Sequence, residues 1–202
     1  MPEHEELKFG PLTESCAHLC IDMQNLFAEG PWETPWMKRV LPMVERLARA
    51  FPERTIFTRF IPLDHPGEGE GTWRRYYERW SELTLSQLPP GRVDLLPSLA
   101  ALVPPAETFD KTVYSPWTYP GLHERLRARG IDTLIISGAE TDVCVLAAVM
   151  GAVDLGYRVV IPTDALCSSS DQTHDALLTL YTERYGQQVE AVTTEVILKA
   201  WR

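Results

Sequence analysis

The sequence predicts an α/β fold, a three-layer αβα sandwich with a six-stranded, mainly parallel sheet. Three observations predict it. Short β-type runs alternate with segments whose apolar residues recur at helical spacing. The run at 133–137 is a strong strand, and its core Leu134-Ile135-Ile136 is aliphatic. Helical segments stop at glycines, at Gly130, Gly156 and Gly186. Strands and helices in alternation bury themselves best as a parallel sheet with right-handed crossovers.

Residues 17–21 open the series as an apolar strand. Residues 33–50 follow as a helix, with Met37, Val40, Leu41, Val44, Leu47 and Ala48 at helical spacing and Pro42 predicting a kink or a late start. Residues 55–60 form the second strand. The stretch 62–71 is rich in Pro and Gly and predicts a loop; 72–80 is aromatic and charged, a short helix or lid. Residues 95–102 read as helical, and 107–109 as a short strand leading to Lys111. Helix 122–129, strand 133–137, helix 143–155, strand 158–161, helix 173–185, strand 188–192 and helix 194–201 complete the chain. There is no internal repeat or convincing linker, so residues 1–202 are expected to form one domain.

The chain has 202 residues, enough for a substantial core. Its formal net charge of −9 disfavours nucleic acid and anionic membrane as partners. No apolar run approaches the length of a membrane helix, and the polar stretch from Met1 to Phe9 holds no signal-like segment, so a cytoplasmic protein is expected. The four cysteines, Cys16, Cys20, Cys144 and Cys167, are irregularly spaced, which predicts free thiols and no structural zinc site.

In a parallel sheet, ligands bind at the carboxyl ends of the strands. Asp22 and Lys111 follow predicted strands, and Cys144 stands where a strand turns into a helix. A helix N-terminus presents unpaired N–H groups and partial positive charge, which favour a thiolate; Thr141 or Asp142 is placed to cap it. Taken singly, each has an ordinary explanation: a buried cysteine packs, an aspartate after a strand turns the chain, and a lysine is solvated. Their common position at one rim makes them candidates for nucleophilic chemistry.

Several motifs in order resemble the isochorismatase-like, or cysteine hydrolase, superfamily, in its nicotinamidase- and N-carbamoylsarcosine-amidase-like branch. The most specific is Gly138-Ala139-Glu140-Thr141-Asp142-Val143-Cys144-Val145, similar to G-x-x-T-x-x-C-V. Asp22-Met23-Gln24-Asn25 with Phe27 resembles D-x-Q-x-x-F, and Lys111-Thr112-Val113-Tyr114-Ser115-Pro116-Trp117 resembles K-x-x-Y-S-A-F. Ala152 to Val159, and Asp164-Ala165 with Ser168, resemble two further stretches. The resemblance implies an isochorismatase-like (Rossmann-like) hydrolase fold and a catalytic triad of Asp22, Lys111 and Cys144. It implies a cis peptide between Ala139 and Glu140, and an oxyanion hole from the backbone N–H groups of Glu140 and Cys144. The implied activity is hydrolysis of a small amide, carbamoyl or ureido substrate through a thioester, without a cofactor, in a homodimer or homotetramer.

The chain departs from the pattern in places. Isochorismatases proper cleave a vinyl ether and lack the cysteine, so Cys144 speaks against that chemistry. Nicotinamidases carry a metal motif D-x-H after the second strand, where this chain reads Thr58-Arg59-Phe60-Ile61-Pro62, and Asp64-His65 lacks the spacing; no metal is expected. Phe27, Arg59, Phe60, Tyr114 and Trp117 are candidate substrate-binding residues, with Trp32, Trp73 and Tyr119 also near the rim. Arg59 would meet a substrate carboxylate or form a salt bridge, and the Glu140 side chain would contact substrate or brace its loop. The segment 62–80 is a candidate lid. The alternatives are a non-catalytic binding or interaction protein on the same fold, or an isochorismatase-like hydrolase of another bond type.

Overall fold

Six residues without a charge, Cys16–Ile21, form strand β1, and all six are buried. Strand β4 (Thr133–Ala139) is equally buried along its length and lies beside β1 in parallel. Strands covered on both faces must be apolar on both, which is why neither shows polar alternation. In this computed structural model residues 6–202 are described; the start of the polar stretch beginning at Met1 lies outside the described residues.

Around this pair the chain adds α1 (Met37–Ala50), β2 (Thr55–Phe60), α2 (Thr72–Arg79), α3 (Pro97–Ala100), β3 (Glu107–Lys111) and α4 (Pro120–Ala128). After β4 come α5 (Cys144–Asp154), β5 (Arg158–Pro162), β6 (Leu166–Cys167), α6 (Asp171–Arg184), β7 (Val189–Val192) and α7 (Thr194–Ala200). The sheet runs β3-β2-β1-β4-β5-β7, every pairing parallel. The strand order reverses between β1 and β4, so the crevice at their carboxyl ends is the switch point where such sheets bind ligands.

The period of two along β1 divides the core. Cys16 and Cys20 pack with Val44 and Leu47 of α1, Leu99 of α3 and Ile197 of α7. Ala17, Leu19 and Ile21 pack with Leu122 and Leu126 of α4, Val145, Ala148 and Val149 of α5, and Tyr181 of α6. Each layer removes large aliphatic side chains from water at about 25 cal/mol per Å2. His18 is the polar exception. Its ring nitrogens bond Ser137 Oγ at 2.7 Å and Thr55 Oγ1 at 3.3 Å, and burial pushes its pKa down to about 3, so it is a neutral tie between three strands.

The α/β sandwich matches the expectation, with differences that have local causes. A seventh strand, the two-residue β6, pairs with Gly138 and Ala139 at the end of β4; a segment that short leaves no periodic signal. Strand β3 runs on through Lys111. Helix α1 starts at Met37, four residues late, and holds Pro42 on its exposed side. Helix α3 has only four residues, because Leu95 bridges to Gln24 and the Leu96 N–H donates to the Met23 carbonyl at 3.0 Å.

Two glycines separate conformational cost from steric overlap. Gly156, past the end of α5, has φ +84° and open space where a Cβ would project. Gly138 has φ +111°, and a Cβ there would lie 2.1 Å from the Ile21 carbonyl oxygen. Gly156→Ala should therefore cost about 1–2 kcal/mol, and Gly138→Ala about 3 kcal/mol or more. Urea denaturation of the two variants checks this, and equal losses would contradict it.

Candidate active site

Asp22 ends β1 in a left-handed turn, φ +48°, a conformation that aspartate adopts more readily than most residues. Its backbone N–H donates to the Thr58 carbonyl at 3.2 Å, while Thr58 Oγ1 donates to Asp22 Oδ1 at 2.6 Å. The carboxylate is thus held by β2. Its other oxygen, Oδ2, accepts from Lys111 Nζ at 2.6 Å. Lys111 closes β3, two strands away, and reaches Asp22 across the end of β2, where Phe60 is its register partner. Its ammonium lies 5.3 Å over the Phe60 ring and also donates to the Val113 carbonyl at 3.2 Å. The exposures of Lys111 and Asp22 are 1% and 0%, so the pair is fully withdrawn from water.

Cys144 opens α5, at 6% exposure, directly after the loop leaving β4. Three contacts hold this loop. The Thr141 hydroxyl donates to the Cys167 carbonyl at 3.1 Å and pairs with His174 Nδ1 at 2.8 Å. The Asp142 carboxylate accepts from Ser168 at 2.6 Å and Thr173 at 2.5 Å. Glu140 Oε1 accepts from the Ser169 N–H at 3.1 Å and from Thr34 at 3.3 Å. Neither Thr141 nor Asp142 caps α5, contrary to expectation. Both are drawn to β6 and α6, and the helix begins after Val143 without a side-chain cap. The Ala139–Glu140 peptide is cis. Among the described residues the N–H groups of Glu140 and Cys144 have no backbone acceptor.

The Cys144 thiol interacts with both Asp22 and Lys111. Burial pushes its pKa well above that of an ordinary thiol, the Asp22 charge adds to this, and Lys111 opposes it. This corrects the expectation of a resting thiolate: withdrawal from water and the carboxylate outweigh the lysine. Burial alone would discharge Lys111, but Asp22 and, after it, Cys144 together outweigh burial and the ammonium is held more firmly than usual. The resting site is a protonated thiol beside a closed ion pair.

Above the sulfur lies a cavity of about 290 Å3. Its walls are Phe27, Trp32, Phe60, Tyr76, Trp80 and Tyr114, with Glu33, Glu140, Val143 and Ser169 at its other sides. Phe27, Phe60 and Tyr114 thus line it. Gln24 fixes Phe60 by bonding both its N–H and its carbonyl, at 2.7 and 3.0 Å. The structure does not bring Arg59 or Trp117 into the cavity. Arg59 is spent on Asp110, through Nε and Nη2 at 2.7 Å each. Trp117 stacks on Tyr157 and donates its indole N–H to the Ala148 carbonyl at 2.8 Å, against α5. Tyr76 and Trp80 were missed individually, although the aromatic density of 72–80 signalled them. Thr58 gave no signal.

No three His, Cys, Asp or Glu side chains come together as a metal site among the described residues. The end of β2 and the residues after it, Thr58-Arg59-Phe60-Ile61-Pro62, hold no D-x-H pattern, and His65 is an exposed loop residue whose N–H bonds Glu68 at 3.2 Å. These residues do not fit a catalytic metal. No helix among the described residues is long and apolar enough to cross a membrane.

The family model described as Isochorismatase domain matches residues 16–195. Nicotinamidase 3 of Arabidopsis thaliana is 28% identical over 179 residues, covering 87% of this chain and 85% of the relative. A probable inactive nicotinamidase of the same plant is 27% identical over 165 residues, covering 79% and 84%. The crystal structure of a cysteine hydrolase from Pseudomonas syringae shares the fold, with TM-score 0.79 at 23% identity over 93% of this chain and 92% of that one.

Because Asp22 raises the thiol, Asp22→Asn should lower it. The pH profile of Cys144 alkylation, followed by mass spectrometry of its peptide, should move to lower pH. An unchanged or upward-moving profile would show that the carboxylate does not control the sulfur.

Proposed function

Given that the chain belongs to the isochorismatase family, we propose that it is a cysteine-dependent hydrolase of a small amide, carbamoyl or ureido compound, acting through a thioester. One observation carries this: the buried Cys144 thiol lines a largely aromatic cavity and is acted on by a buried Asp22–Lys111 ion pair closed at 2.6 Å. Packing alone does not call for three ionisable groups where water is excluded. The nicotinamidase name of a relative matched over most of both chains supports an amide as the bond broken.

In the proposed reaction the substrate carbonyl sits over Cys144. As Sγ attacks the carbon, the thiol proton passes to the Asp22 carboxylate, so no free thiolate has to be maintained in the resting site. Lys111 stays protonated and holds the carboxylate in place. The carbonyl oxygen becomes an oxyanion and accepts from the N–H groups of Glu140 and Cys144. Collapse breaks the C–N bond, and Asp22 returns its proton to the nitrogen, which leaves as ammonia or amine. Water then gives a proton to Asp22 and attacks the thioester; the C–S bond breaks, and the thiol recovers its proton from Asp22. The acid leaves and the site is restored.

The raised thiol is consistent with this sequence. A cysteine that must pass its proton to a carboxylate in the transition state is protected from unwanted alkylation and oxidation between turnovers.

Cys144→Ala should retain the thermal unfolding midpoint within a few degrees and lose ammonia release from a panel of small amides by about 1,000-fold or more. With the wild-type protein, rapid quenching and mass spectrometry should find the acyl adduct on the Cys144 peptide. Full activity in the alanine variant would end the proposal. An absence of turnover across the panel, together with no acyl adduct on the Cys144 peptide, would assign a non-catalytic binding protein instead.

A further inference from the structure

The cavity walls say something about the substrate that the reacting groups do not. Six aromatic rings line the cavity together with the carboxylate residues Glu33 and Glu140, and among the described residues no lysine, arginine or histidine lines it. Glu140 is half-buried and accepts only from the neutral Ser169 N–H and Thr34 hydroxyl, so its negative charge is not cancelled. Glu33 stands exposed at the mouth, and neither carboxylate is in an ion pair among the described residues. The nearest buried cation, Lys111, is closed onto Asp22 at 2.6 Å. Arg59, the residue suited to a substrate carboxylate, is turned away onto Asp110.

The rings form a connected wall. Trp32 is at its centre, with ring centroids of Phe27, Phe60, Tyr76 and Trp80 at 6.1, 6.0, 5.8 and 6.0 Å. Lys111 lies over Phe60, and Arg79 lies 5.3 Å over Trp80, so one face of each of those rings already meets a cation. Among the described residues no cation lies over Phe27, Trp32, Tyr76 or Tyr114. Aromatic faces carry negative electrostatic potential and attract a weakly hydrated cation such as an alkylated ammonium. The carboxylates add to that potential, and an anionic group would be repelled by both without any partner to receive it.

Resting on the hydrolase reading, we infer that this cavity selects an amide whose acyl part carries a positive charge, of the quaternary or alkylated ammonium class. An acyl part bearing a carboxylate is rejected. The net charge of −9 acts in the same direction at long range, concentrating cationic substrates in a salt-dependent way.

Three amides of similar size test this: trimethylammonioacetamide, its neutral isostere 3,3-dimethylbutanamide, and malonamate. Binding to a Cys144→Ser variant, read by tryptophan fluorescence, should be roughly 10-fold tighter for the cation than for the neutral isostere, with malonamate weakest. Glu33→Gln and Glu140→Gln should each narrow that preference, and added salt should weaken cation binding more than neutral binding. Equal or tighter binding of the neutral isostere, tightest binding of malonamate, or no cation binding at millimolar concentration would overturn the inference. Ammonia release by the wild-type protein separates the two readings. Cation-selective binding with no release from any of the three would uphold the charge selection and count against the hydrolase. Release from the neutral isostere with kcat/KM equal to that of the cation would uphold the hydrolase and overturn the charge selection.

Discussion

The ion pair between Asp22 and Lys111 is the constraint on which the rest of the site depends. Both charges are withdrawn from water, and burying an ion costs several kcal/mol that only a well-formed pair with further hydrogen bonds offsets. Each group therefore requires the other, and each requires its supports: Thr58 on the free oxygen of Asp22, the Val113 carbonyl and the Phe60 face on Lys111. These partners come from the ends of β1, β2 and β3. The pair thus fixes the relative height of three strands, and the sulfur of Cys144, arriving from β4, meets a charge arrangement already set. Removing either member would leave an uncompensated buried charge, at a cost of about 3–5 kcal/mol.

The same pair sets the character of the sulfur. A helix N-terminus and a neighbouring lysine, read from sequence, argue for a thiolate. In the fold, burial does most to raise the thiol, the Asp22 charge adds to it, and Lys111, closed onto Asp22, opposes both without prevailing. Local sequence shows which charges lie near a residue but not how far each is already neutralised by another. In the proposed reaction, that difference turns an expected resting thiolate into a thiol deprotonated in step with attack.

Much of the fold was legible because both of its signals are local. Unbroken apolar runs mark strands covered on both faces, and glycines mark helix ends, as at Gly130 and Gly156. The short β6 and the curtailed α3 were not legible, since each is decided by tertiary hydrogen bonds, to Gly138 and Ala139 in one case and to Met23 in the other. The convergence of Asp22, Lys111 and Cys144 followed from their positions at strand ends. The cavity wall was visible in part: Phe27, Trp32, Phe60 and Tyr114 were among the aromatics placed near the rim, whereas Tyr76 and Trp80 come from a helical segment whose docking no spacing rule supplies. Arg59 shows the opposite failure. It stands at a strand end, but a carboxylate on the neighbouring strand captures it before any ligand can.

Reaction and recognition occupy different kinds of backbone. In the proposed reaction, the proton-handling groups Asp22, Lys111 and Cys144 stand on strand ends and a helix start packed on the two-layered core. Most of the wall stands on the turn around Trp32 and on the excursion between β2 and β3 that carries Tyr76 and Trp80, outside the sheet. Mutations in those excursions alter what is admitted without disturbing how its carbonyl is handled. Under the proposed function, a scaffold divided in this way lets the admitted molecule change while the groups at the strand ends keep their places.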